Sequence, residues 1–162
     1  MSGRARKENA SPLKRGTFLF FSGAVFLFDQ ITKTCVRTAL APSQSLPVLG
    51  NFFYLTLVEN KGIAFGLFRD GDRVLFLLIT LSIVALAVTG LMARSLRLAT
   101  EAALGLILGG ALGNWLDRIR FGAVVDFLDF RVWPVFNLAD TAITVGVGIF
   151  LLDLLKSDRH AS

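Results

Sequence analysis

The stretch GGALGNWLDRIRFGAVVDFLDFRVWPVFNLAD, residues 109–140, decides how this chain is read. Apolar segments flank it on both sides, yet it carries Asn114, Asp117, Arg118, Asp126, Asp129, Asn137 and Asp140. Ionisable side chains beside hydrocarbon are costly, and where they persist they pair or do chemistry. The economical reading is that Asp126 and Asp140 meet in space as a working pair. The rest of the chain is then the scaffold that joins them.

Composition bounds that scaffold. The chain has 162 residues, 54% hydrophobic and 18% charged; soluble domains run at about 45–50% and about 25%. The shift points to the membrane class, and the length allows one compact domain. The net charge of +5 is not gathered into a basic patch with interleaved aromatics. A membrane surface explains it better than nucleic acid does. One cysteine, Cys35, excludes an internal disulfide and a multi-cysteine metal site, and reads as a small buried apolar side chain. His160 is the single histidine and sits in the C-terminal tail, so Cys/His and Ser/His/Asp catalysis lack a base. A Ser22/Lys33 dyad fails because the intervening helix separates them by roughly 16 Å. No metal and no cofactor is expected.

Outward from the central stretch, the chain reads as an all-α membrane protein of four spans. Residues 1–15 are a basic, disordered tail. Residues 17–28 are nearly all apolar and resemble a signal-peptide core. However, Asp29, Lys33 and Arg37 stand between them and the small-residue site Ala39-Leu40-Ala41, which favours an uncleaved first helix near residues 15–36. Residues 37–73 form the first outer loop, where FFYLTLV over 52–58 reads as a strand and IAF lies between Gly62 and Gly66. A small β-rich cradle and flap is expected there. The uncharged run 74–92 is the clearest span. Residues 98–116 read as the third helix, with Gly105, Gly109 and Gly113 on one face to admit another helix backbone. A second outer loop over 117–135 follows, with Trp133 as an interfacial anchor. The fourth helix runs over 136–155, so that 16–155 form one domain, and 156–162 are a second tail.

Orientation comes from the basic residues. Segments 1–15, 93–97 and 156–162 hold nine Lys/Arg in 27 positions, against seven in 56 for the two long loops. The denser set marks the cytoplasm, so both termini are cytoplasmic and the site faces outward.

Two carboxylates held a few ångströms apart share a proton. One can then act as base on a water while the other polarises a scissile carbonyl. Peptide hydrolysis needs both roles and no cofactor. Asp129 or Asp117 could substitute for either member, and the bland alternative makes all of these loop acids partners of Arg118, Arg120 and Arg131. Asn114 and Arg118, at i,i+4, could hold substrate carbonyls or steady a carboxylate; otherwise they complete a helix end, with Asp117–Arg118 as a surface pair. Asp29 and Lys33 read as a self-neutralising pair at the outer interface, with Lys33 snorkelling. Asn60 could reach substrate or satisfy its own turn. Asp153 reads as a solvated or paired terminal charge.

At these residues the chain resembles the bacterial lipoprotein signal peptidases, or type II signal peptidases. The resemblance covers about 29–144. Its blocks are DQ..K at Asp29, Gln30 and Lys33, and N.G.AFG at Asn60, Gly62, Ala64, Phe65 and Gly66. Next come GG..GN..DR at Gly109, Gly110, Gly113, Asn114, Asp117 and Arg118, then VVDF over 124–127, and FN.AD at Phe136, Asn137, Ala139 and Asp140. The resemblance implies an intramembrane aspartyl endopeptidase of the bacterial inner membrane. It would cut diacylglyceryl-modified prolipoproteins just before the lipid-bearing cysteine. It implies Asp126 and Asp140 as the catalytic pair, with Asp29, Lys33, Asn60, Asn114, Arg118 and Asn137 supporting site or substrate. It also implies membrane lipid and globomycin-like peptide inhibitors as ligands, no nucleic acid, and a monomer. Two rivals stand beside it. A proton- or ion-transporter would use the same acids as a relay, although the two halves show no internal repeat. A non-catalytic assembly factor would use the glycine face to dock partner helices.

Overall fold

The computed structural model describes residues 13–61, 73–93 and 96–158. In chain order the elements are α1 (Leu13–Ala39), β1 (Ser45–Leu49), β2 (Phe53–Asn60), α2 (Arg73–Met92), α3 (Leu98–Phe121), β3 (Val124–Asp129) and α4 (Leu138–Asp158). The IAF piece with Gly62, Ala64, Phe65 and Gly66 lies outside the described residues, as do positions 1–12 and 159–162.

The helices are inverted relative to a soluble domain. Phe20, Leu27, Phe28, Leu77, Leu81 and Leu152 are exposed, while Asp29, Lys33, Asn114, Asp117 and Asn137 are buried. Apolar surroundings reward that arrangement and water penalises it. By length and composition, Arg15–Ala39 and Leu138–Lys156 could cross a bilayer; the apolar part of α2, Phe76–Met92, is shorter.

Helix α3 is the centre, packed by α1, α2 and α4. Its glycines explain how. A Cβ on Gly105 would stand 2.6 Å from the Phe18 carbonyl oxygen, and one on Gly109 2.5 Å from that of Ser22. A Cβ on Gly113 would collide with the Asp29 carboxylate. The glycine face therefore holds α1 of the same chain and has no room left for a partner helix. Gly110 looks the other way, where its Cβ would meet the Ala139 carbonyl oxygen of α4 at 2.5 Å. On the α2 side, Trp115 donates its indole N–H to the Thr80 hydroxyl at 2.9 Å and stacks on Phe76.

Two sequence expectations change here. The third helix does not stop at Leu116; it continues to Phe121, because no residue breaks it before Gly122. Gly122 takes φ +67° and its N–H closes on the Arg118 carbonyl, a left-handed cap that glycine adopts without strain. Asp117, Arg118 and Arg120 thus ride on the helix. The β structure, expected in the first outer loop alone, also gains a strand from the second. VVDF belongs to β3, which pairs antiparallel with β2 in the order β1-β2-β3, Val58 opposite Asp126 and Asn60 opposite Val124. Consecutive β-branched residues suit that pleated position. Leu57, Val125 and Phe127 then pack on Val36 of α1 and on Leu40 just after it, which seats the sheet on the helices. Arg37 adds a tie, lying 3.8 Å over the Phe121 ring and 3.6 Å from Glu59.

Cys35 is exposed, not buried. The buried face of α1 carries Asp29, Lys33 and Val36, and position 35 is turned away from it.

Gly109→Val should destabilise the protein by about 1–3 kcal/mol or more, because a carbonyl oxygen and not a flexible side chain blocks the new methyl groups. Gly23→Ala, where nothing lies within 4 Å, should be neutral or stabilising by up to about 1 kcal/mol. Thermal unfolding in detergent distinguishes the two.

Candidate active site

The site begins on α1. Lys33 is buried and has three protons to donate. Its Nζ lies 2.8 Å from Asp29 Oδ2, 2.8 Å from Asp117 Oδ2 and 2.9 Å from Asn114 Oδ1. The expected snorkelling does not occur, because the side chain turns into the α1–α3 seam where two carboxylates compensate its charge. Asp117 is equally buried, so it is no surface partner of Arg118. Its remaining contacts are the Gln30 amide at 3.0 Å and the Val125 N–H at 3.2 Å. Asp29 also reaches across to α4, accepting the Ala139 N–H at 3.0 Å.

The start of α4 shows why FN.AD has its spacing. Asn137 precedes the helix, and its Oδ1 accepts the Asp140 N–H at 2.8 Å. Asp140 Oδ2 faces the Asn137 N–H in return, at 3.4 Å. This is a reciprocal cap, with a carboxylate at the positive end of the helix. The same Asn137 side chain donates to Asp126 Oδ1 at 2.6 Å and to Asn114 Oδ1 at 3.1 Å. Asn114 in turn donates to Asp140 Oδ1 at 2.7 Å. Asn60, at the end of β2, donates to Asp126 Oδ2 at 3.0 Å.

The acids therefore sort into two kinds. Among the described residues, close ion pairs fall to Asp29, Asp117, Glu59, Asp129 and Asp153. Asp129 is taken by the Thr56 hydroxyl at 2.7 Å and by Arg131, and the Thr56 bond is the main reason its carboxyl sits below the ordinary value. Asp153 pairs with Arg97 and Thr100 at the far end of the helices. Among the described residues, the hydrogen bonds to Asp126 and Asp140 come from amides. Arg118 donates to the carbonyl of Asn114 and its charge acts on both acids.

Burial pushes Asp126 up to about 6, with the negative charge of Asp140 adding to the rise and the Asn60 and Asn137 amides opposing it. The native state thus keeps a proton that an unfolded aspartate releases near about 3.9. The stability this confers is full below that value and is lost as pH rises through about 6. Asp140 is half-buried and opens onto an apolar cleft of about 490 Å³, lined by Trp133, Phe136, Thr141, Thr144 and Val145 among others. A buried acid and a more open one, bonded through two amides, can hold one proton between them and work on a molecule in that cleft.

The profile of the signal peptidase (SPase) II family matches residues 21–156. The chain belongs to that family. It is 48% identical to the lipoprotein signal peptidase of Moorella thermoacetica over 85% of this chain and 92% of that one. With the enzyme of the same name from Halothermothrix orenii it shares 44% identity, over 83% and 92%. Two solved structures of a bacterial membrane enzyme, each 32% identical, superpose with TM-scores of 0.82 and 0.79, covering 91% and 87% of this chain and 92% and 94% of theirs. The family is one of membrane proteases that cleave lipoprotein signal peptides.

Within this signal peptidase II fold, Asp126, Asp140, Asn60, Asn114 and Asn137 join one hydrogen-bonded network, the two acids linked through the amides. Asp29 and Lys33 join through Asn114. Gln30 had no assigned role, yet its amide clamps Asp117 and its Oε1 accepts from Arg120 at 3.3 Å. Its place beside Asp29 in the DQ..K block was the available signal.

The carboxyl C=O band of Asp126 should titrate with a midpoint near 6. It should vanish in Asp126→Asn and move to higher pH in Asn60→Ala, since the lost N–H favoured the charged form. Infrared spectroscopy across pH 4–8 checks both.

Proposed function

We propose that this chain is an intramembrane aspartyl endopeptidase acting on diacylglyceryl-modified prolipoproteins, with cleavage just before the lipid-bearing cysteine. The observation that carries the reading is the pairing of Asp126 and Asp140 through buried amides, with neither acid neutralised by an ion pair among the described residues. In the reaction one carboxylate takes a proton from water as it attacks the peptide carbonyl. The other, protonated, polarises that carbonyl and then passes its proton to the leaving amine. Asn60 and Asn137 steady Asp126, Asn114 steadies Asp140, and Arg118 supplies positive charge beside them.

The surroundings suit a lipid-anchored substrate. Such a substrate diffuses in the membrane plane, so its site must open sideways at membrane depth. Helices satisfy their own backbone groups there, which leaves polarity to side chains. The cleft beside Asp140 is apolar along its walls and acidic at one end. Helices α1 to α4 have 20 to 27 residues, or about 30–40 Å at 1.5 Å per residue, enough for four spans. With both termini cytoplasmic in the inner membrane, the sheet and the two acids lie at the outer face, where water can reach them.

Asp126→Asn and Asp140→Asn should each lower turnover of a lipidated precursor by at least about 10³-fold, since an amide cannot exchange the proton. Both should insert and fold. Mass spectrometry of the precursor after incubation with purified protein reads the result. Retained turnover removes that residue from the mechanism, and chelator-sensitive activity restored by added metal contradicts the proton-sharing pair.

A further inference from the structure

We propose that Lys33 is a positioning residue that locks the two active-site amides, so that both present N–H groups to the carboxylates. The inference rests on the aspartyl peptidase reading and adds a cause for its geometry.

An asparagine amide can rotate by half a turn and exchange its oxygen for its nitrogen at almost no cost in shape. What holds it is the polarity of its neighbours. Lys33 has three donors and no acceptor. Two of its protons go to Asp29 and Asp117, and the third reaches Asn114 at 2.9 Å. Only an oxygen can face it there, so Asn114 must turn its nitrogen to Asp140, at 2.7 Å. A rotated Asn114 would set N–H against ammonium on one side and oxygen against carboxylate on the other.

The lock extends one residue further. With Asn114 Oδ1 fixed as an acceptor, Asn137 must offer it a donor, at 3.1 Å. The second proton of the same amide then points to Asp126, at 2.6 Å. Asn137 Oδ1 meets the backbone N–H of Asp140, itself a donor only. Every link is forced by a group that cannot reverse, and the first in line is a buried ammonium. Lys33, Asn114 and Asn137 are all buried. Asp29 and Asp117 have the subsidiary task of keeping that charge in place.

The test is a double-mutant cycle on turnover of a lipidated precursor. Lys33→Met and Asn114→Ala should each lower kcat by about 10²-fold or more, as loss of an oriented donor does, with KM changed little. The double variant should be no worse than Asn114→Ala, because Lys33 acts through Asn114. Multiplicative losses, or a raised KM with kcat intact, overturn the proposal. Should Lys33→Met fail to fold, Asn114→Asp decides. It keeps an oxygen toward Lys33 but replaces the donor to Asp140, so it should be as slow as Asn114→Ala; near-normal turnover overturns the lock. Asp140→Asn runs alongside. If it stays active, the aspartyl reading itself has failed. If it is inactive while the cycle is multiplicative, only the lock has.

Discussion

Asn137 holds the site together, because one buried side chain caps the helix that carries Asp140 and bonds the strand acid Asp126. A polar group removed from water must find every partner inside the protein. Asn137 does so by touching three elements: α4 through its own cap, β3 through Asp126, and α3 through Asn114. Those contacts fix where the final helix begins relative to the sheet. The pairing of β3 with β2, the backbone bonds between Leu128 and Phe136, and the Asp29 bond to the Ala139 N–H hold the same arrangement from other sides.

Close helix packing makes that possible. Gly105, Gly109 and Gly113 bring α1 against α3, and Gly110 brings α4 against the other side. At such separations short side chains reach across, so Asp29 of α1 can cap an N–H of α4. The buried Lys33 cluster sits in the same seam. A pair of this kind adds little net stability and is costly to break, which fits a role in orientation more than in holding the fold.

Much of this was legible in the sequence. Charges inside apolar segments stand out because hydrocarbon tolerates few, and the asparagines and acids of residues 109–140 were singled out on that ground. The four-residue glycine spacing predicted a close helix contact, and α1 supplies it. Other features depend on tertiary context. Lys33 read as paired with Asp29 and snorkelling; the pair forms, but one sequence does not say which face of α1 meets α3, so its burial was not legible. Asn114 and Arg118 read as one helix face, with an Asp117–Arg118 surface pair as the alternative, but nothing in the local pattern indicated that the helix runs on to Gly122 or that Asp117 is buried. Asn60 lies 66 residues from Asp126 in sequence. Strand pairing over that distance leaves no periodic trace, so Asn60 read as a residue that could reach substrate or satisfy its own turn, and its bond to Asp126 was not legible. The third strand was missed for the same reason: β3 has a partner only once β2 is in place.

The most direct test of the account is single-turnover cleavage of a lipidated precursor in ¹⁸O-labelled water, read by mass spectrometry of both products. Two carboxylates that activate water predict one ¹⁸O atom at the new carboxyl end of the released signal peptide, and an unlabelled partner beginning at the lipid-bearing cysteine. An unlabelled signal peptide, or a cut at any other bond, would contradict it.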